Sequence, residues 1–174
     1  MHELLERLRG SDASEIAGEV VADPPLIAVL LDGMLGDDDG IRPLAAAAAE
    51  HAARERPELL APHADALIDV AERARDPETR RFVAQMLARV ELSDARADQA
   101  TVILDGYLAG DDELVQAWAL SAIVALANEH PRLRRHAGEL VHERIDSDVP
   151  PVAERAGLLR DQAESWPSGS AGAS

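Results

Sequence analysis

The sequence predicts an all-α chain wound as an α-solenoid of antiparallel helix pairs, with about four repeats of roughly 37 residues in one domain over 1–165. Three observations carry that expectation. The hydrophobic fraction is 47%, yet aromatics make up only 2%, so alanine and leucine supply most of the apolar volume. Such a composition favours closely packed helices over a β-sandwich. Apolar residues follow helical spacing almost throughout, without strand-like alternation of useful length. Finally, the chain repeats itself. Leu30-Leu31-Asp32-Gly33-Met34-Leu35 recurs 73 residues later as Ile103-Leu104-Asp105-Gly106-Tyr107-Leu108. After one extra residue, Ala109, the offset becomes 74. Gly36-Asp37-Asp38 then falls on Gly110-Asp111-Asp112, and Glu55-Arg56-Pro57-Glu58-Leu59 on Glu129-His130-Pro131-Arg132-Leu133. A weaker copy sits midway: Asp76 to Arg80 lies 38 residues after Asp38 to Arg42 and 36 before Asp112 to Gln116.

The elements follow in order. Helices are expected over 2–9, 13–22, 25–35, 40–54, 61–74, 77–91, 96–109, 112–129, 134–146 and 151–164. Asp23-Pro24-Pro25 offers a capping acceptor and then proline in the first turn, where a missing N–H costs nothing. Asp76-Pro77-Glu78 does the same for 77–91. Gly36, Gly40 and Gly110 separate apolar runs and mark turns. The helix over 77–91 shows one apolar stripe, Thr79, Phe82, Val83, Met86, Leu87 and Val90, opposite Arg81, Gln85, Ala88 and Arg89. The helix over 112–129 is apolar at nearly every position from Ala117 to Ala127, broken by Ser121, so it must be enclosed on several sides. Connections of two to six residues predict antiparallel neighbours. The segment 166–174 is small and polar and reads as a flexible tail, with Trp166 placed to fold back on the last repeat.

The unit of acidic turn, aliphatic residue, arginine and alanines resembles the second helix of a HEAT repeat. Three stretches carry it: Asp39-Gly40-Ile41-Arg42-Pro43-Leu44-Ala45-Ala46, Asp76-Pro77-Glu78-Thr79-Arg80-Arg81-Phe82-Val83-Ala84 and Asp112-Glu113-Leu114-Val115-Gln116-Ala117-Trp118-Ala119. Leu59 to Leu67, with Pro62 near its start, is similar to a HEAT first helix. The resemblance covers residues 25–146, with a degenerate helix pair at each end. It implies an aspartate–arginine ladder between repeats, here Asp39, Arg42, Asp76, Arg80 and Asp112, with Gln116 replacing the third arginine. It also implies an extended concave surface. On that surface Arg81, Gln85 and Arg89 would form a row with Ala47 and His51 of the first copy and Ser121, Val124 and Asn128 of the third.

The function expected from this pattern is non-enzymatic binding of a protein or peptide along the concave face. Two alternatives stay open: a HEAT-fold enzyme or small-ligand binder of the bilin-lyase type, and a structural self-association module. Thirty-three acidic side chains against 17 basic ones, all arginine, give a formal charge of -16. That balance argues against a nucleic-acid backbone as partner, because phosphate binding relies on clustered positive charge. Without cysteine there is no disulfide, thiolate nucleophile or zinc ribbon. Asp37-Asp38-Asp39-Gly40 does not fit a calcium loop, since the first and twelfth positions would fall on Leu35 and Ala46. It reads instead as an acidic cap on the helix over 40–54. His136, Glu139, His142 and Glu143 form the best metal-like cluster, but carboxylate-bridged sites need Glu-x-x-His twice and only one copy is present. Asp32 and Asp105, repeated in both Leu-Asp-Gly units, are expected to serve the architecture. No Gly-x-x-x-x-Gly-Lys loop and no Gly-x-Ser-x-Gly elbow occurs. No cofactor or metal is therefore expected. The N-terminus lacks the basic-then-apolar layout of a signal peptide, and Leu26 to Leu31 is too short an apolar run to cross a bilayer. The expectation is a cytoplasmic protein without membrane contact, a monomer or weak homo-oligomer.

Overall fold

The computed structural model describes residues 3–167; the segment 168–174 of the expected tail lies outside the described residues, as do Met1 and His2. Ten α-helices and no strand occur among the described residues. They are α1 (Glu3–Arg7), α2 (Ala13–Ala22), α3 (Leu26–Leu35), α4 (Arg42–Glu55), α5 (Ala64–Arg73), α6 (Pro77–Leu87), α7 (Asp94–Leu108), α8 (Glu113–Glu129), α9 (Arg134–Arg144) and α10 (Pro150–Glu164). Short 3₁₀ turns at Pro57–Leu59, Ala61–His63 and Pro131–Leu133 lead into α5 and α9. Proline tolerates the first positions of such turns because its missing N–H has no partner there.

Contacts sort the helices into two rows. The even helices touch in succession, α2 on α4, α4 on α6, α6 on α8 and α8 on α10. On the odd side α1 meets α3, α3 meets α5 and α5 meets α7. Each odd helix from α3 to α9 also packs on the even helix that follows it. Side-chain bonds between residues 36 and 38 apart in sequence tie helices of the same row together. The buried Tyr107 hydroxyl on α7 donates to the Ala71 carbonyl on α5 at 2.5 Å, and Trp166 Nε1, just past α10, donates to Asn128 Oδ1 on α8 at 3.0 Å.

Alanine makes the close approach possible. On α4, Ala45, Ala46, Ala48, Ala49, Ala52 and Ala53 are all buried, so α4 sits between α2, α3 and α6 with little side-chain bulk between the axes. In α8, Ala117, Ala119, Ala122 and Ala127 play the same part beside Leu120, Ile123 and Leu126, and the helix is covered by α6, α7, α9 and α10. Enclosure on several sides is what its apolar run, broken by Ser121, predicts. Larger side chains, Leu30, Leu31, Leu67, Ile68, Leu87 and Leu104, fill the remaining core. Truncating one of these leucines to alanine costs about 2–5 kcal/mol by lost transfer energy and residual cavity.

One device recurs at the entry to three even helices. An aspartate side chain accepts backbone N–H groups: Asp38 from Gly40 and Ile41 at 3.0 and 3.1 Å, Asp76 from Thr79 at 2.8 Å, and Asp112 from Val115 at 2.8 Å. Four residues on, a side chain reaches back to the turn before the helix. Arg42 Nη1 donates to the Gly36 carbonyl at 3.1 Å, Arg80 Nε to the Ala74 carbonyl at 3.0 Å, and Gln116 Nε2 to the Gly110 carbonyl at 2.8 Å. These clamps lie within one unit and end on neutral carbonyls, so a glutamine amide serves where the other two copies carry arginine. Asp39 pairs with Arg42 in its own turn.

Other boundaries differ from the expectation for local reasons. Asp23 contributes its backbone carbonyl rather than its side chain at the start of α3, accepting from Leu26 at 3.0 Å. Its own N–H closes α2 on Glu19. Helix α6 ends at Leu87 because Arg89 N–H turns back to Met86 in a tighter bond. Helix α7 starts at Asp94, two residues before the expected 96, because Ser93 Oγ caps it by accepting from Arg96 N–H.

Candidate binding face and its cleft

Helix α6 lies between α4 and α8 in the even row, so its outward face is central to that row. Arg81 and Gln85 lie on this face and Arg89 in the turn that continues it past Leu87, and the three link head to tail. Gln85 Nε2 donates to the Arg81 carbonyl at 3.3 Å, and Arg89 Nη1 donates to the Gln85 carbonyl at 3.0 Å. All three are half-buried. Arg81 lies over the Phe82 ring at 4.7 Å and pairs loosely with Glu78 at 3.8 Å, while its Nε is buried without a hydrogen-bond partner. Guanidinium groups held along their stems in this way lose little freedom on binding a partner.

Behind Arg89 stands a residue that the sequence did not single out. Glu50 of α4 is 2% exposed, with Oε1 3.0 Å from Arg89 Nη1 and Oε2 3.8 Å from Arg54. The approach of Arg89 is off the hydrogen-bonding direction, so Oε1 has no aligned donor and the contact is an ion pair. In the sequence Glu50 follows a run of five alanines and looks like the start of a solvated face. Only the packing of α6 on α4 reveals that it is covered. A carboxylate at such a site needs its cationic partner, because removing one member of a buried pair leaves an uncompensated charge.

Arg89 also lines an open cleft of about 610 Å³. One wall is the α6–α7 connection, Ala88 to Leu92, and the other is the end of α8, with Ala125, Leu126, Asn128, Glu129 and His130. Asn128 has a fixed orientation. An indole N–H can only donate, so the Trp166 bond identifies the Asn128 atom it meets as the carbonyl oxygen and leaves the amide NH2 for other partners. The His130 Nδ1 is engaged with Asp94 at 2.7 Å. Asp94 also pairs with Arg132, whose Nη2 reaches Asp98 at 2.9 Å. The hydrogen bond from His130, and then the one from Arg132, hold the Asp94 carboxyl below its ordinary value. This cluster pins the turn before α9 to the start of α7 and fixes the floor beside the cleft.

The other expected members of the row are distributed as follows. Ala47 and His51 lie half-buried on α4, and Ser121 lies half-buried on α8, with its hydroxyl donating to the Ala117 carbonyl at 3.3 Å. Val124 is 1% exposed and presents nothing to a partner. Its neighbour Ala125 lines the cleft instead, at the position 36 residues beyond Arg89, the offset that relates the two copies. Asp39, Arg42, Asp76, Arg80 and Asp112 belong to the turns that start the even helices. His136 meets Asp105 of α7 at 2.9 Å, while Glu139 pairs with Arg135 one turn away within α9, so two members of the metal-like cluster are engaged in ion pairs. Among the described residues no group of three or more His, Cys, Asp or Glu is placed to hold a metal. No described helix is long and apolar enough to cross a membrane.

Compared with family models, with curated proteins and with solved structures, the chain matches none of them.

Proposed function

We propose that the chain is a solenoid of HEAT-like antiparallel helix pairs that binds an extended segment of another protein along its even-helix row, without catalysing a reaction. Two features support the architecture. The helices contact one another in two successive rows, and inter-unit bonds recur at separations of 36 and 38 residues, the period of the repeated sequence. Stacked repeats generate long surfaces on which a partner meets several units at once. The single observation that carries the binding assignment is the string of Arg81, Gln85 and Arg89 along α6 and the turn that follows it, half-buried, mutually linked and opening into the Asn128 cleft.

The test is affinity capture from native lysate at low and high salt, with wild type beside Arg81→Glu/Gln85→Glu, which leaves the Glu50–Arg89 pair intact. The double variant is expected to lose a discrete set of captured proteins at both salt concentrations while its far-UV circular dichroism stays unchanged. An identical captured set would remove α6 from the binding face.

A further inference from the structure

The cleft combines two kinds of charge, and the combination is selective. Its lining includes donors: Arg89, paired with buried Glu50 and donating to the Gln85 carbonyl, and Asn128, whose carbonyl oxygen is taken by Trp166 and whose NH2 is left over. The lining also includes acceptors, the exposed residues Glu91 and Glu129. A simple anion would meet Arg89 and Asn128 but would be repelled by both glutamates. A simple cation would meet the glutamates and leave Arg89 facing a like charge. The matching ligand carries a carboxylate flanked by positive charge.

We propose that this cleft seats the free C-terminal carboxylate of a basic peptide. The carboxylate accepts from Arg89 and from Asn128 Nδ2, and basic side chains just upstream pair with Glu91 and Glu129. Charge-assisted bonds from a guanidinium to a carboxylate are among the stronger polar contacts, and Arg presents its donors in a fork that fits two oxygens. The volume of about 610 Å³ lies within the range of ligand clefts, and the cleft is open to solvent. The formal charge of -16 draws cationic segments toward the protein before any contact is made. Such a C-terminus is one end of the extended segment assigned to the even row, so the inference rests on that reading and names its anchor.

The probe is a fluorescein-labelled pentapeptide, Gly-Gly-Arg-Arg-Leu, added to the full chain and followed by fluorescence polarisation. It is prepared with a free C-terminal carboxylate and, separately, as the C-terminal amide; Gly-Gly-Glu-Glu-Leu with a free carboxylate is the third ligand. The free acid of the basic peptide is expected to bind about tenfold more tightly than its amide, as loss of one charge-assisted contact predicts. In Glu50→Gln/Arg89→Gln, which changes both members of the buried pair and so avoids stranding either charge, that ratio falls to about one. In Glu91→Gln/Glu129→Gln, which alters only exposed lining residues, the acid-to-amide ratio survives while affinity for both basic peptides falls and the acidic peptide gains. Equal binding of acid and amide by wild type, a ratio unaffected by Glu50→Gln/Arg89→Gln, tighter binding of the acidic peptide, or no binding at all would each overturn the subsite. If the subsite fails while Arg81→Glu/Gln85→Glu still changes the captured proteins, the wider face stands. If both fail, the even row is not the binding surface.

Discussion

Helices α3 and α7 carry the same Leu-Asp-Gly motif, and the molecule uses it in two different ways. In α3, Gly33 is buried under α1: a Cβ built there would stand 2.7 Å from Leu5 Cδ2 and 3.3 Å from the Ala45 Cβ. In α7 the equivalent Gly106 is exposed, and a Cβ would meet nothing within 4 Å. The next residue is Met34 in α3, an ordinary core side chain, but Tyr107 in α7, whose hydroxyl crosses to α5. The preceding residue is exposed Asp32 in one copy and, in the other, Asp105, which holds His136 of α9. The repeated letters therefore set a common helix, while the neighbour on each side decides what each position does. At the N-terminal end that neighbour is the five-residue α1, which must press close to be held at all.

Substitutions at matched positions should separate the two copies. The largest effect is expected for Tyr107→Ala, about 3–5 kcal/mol from the aromatic cavity and from leaving the Ala71 carbonyl without its donor. Chemical denaturation with an unchanged m-value would measure it. Tyr107→Phe keeps the volume and isolates the hydrogen bond, at about 1 kcal/mol. Burial also pushes the Tyr107 phenol above its usual pKa, so its ultraviolet ionisation step should be absent until the chain unfolds in alkali.

Glycine replacement should give unequal changes in the two helices. Gly33→Ala drives a methyl against Leu5 and close to the Ala45 Cβ, so the shift this forces is expected to cancel much of the helix preference of alanine. Gly106→Ala meets open space and should stabilise by about 0.5–1 kcal/mol. Equal changes at the two sites would show that α1 does not press on α3 as described.

The smallest expected effect is electrostatic. The Asp94 carboxyl is held below its ordinary value first by His130 and then by Arg132. Its contribution is present above the unfolded aspartate value and disappears as the pH falls through the lowered folded value. Carboxyl NMR titration should place Asp94 below an ordinary aspartate, and Arg132→Gln should move it upward. An unchanged midpoint in the variant would assign the shift to His130 alone.

Much of the fold was legible because capping and turn chemistry are local. Asp76 caps its helix as its sequence context implies, and the apolar run of α8 correctly announced a helix covered on several sides. The early start of α7 depended on a lone Ser93, a weaker signal than the aspartate–proline pairs. The candidate site was legible in part. Arg81, Gln85 and Arg89 stand out as the polar face of one helical segment, but Val124 was placed by shifting that row by the repeat offset and is buried, because enclosure leaves α8 little free surface. Trp166 was expected to fold back and does so onto Asn128, whereas Glu50 and His130 acquire their roles only from contacts made between helices. No pattern within a single helix encodes such contacts.

The claim on which the rest depends is that a partner lies along the even row. It is tested most directly by backbone amide NMR of the full chain titrated with a captured partner segment. The expected result is a continuous band of shifted amides running from Ala47 and His51 through Arg81, Gln85 and Arg89 to Ser121 and Asn128. Shifts confined to α3, α5 and α7 would contradict it.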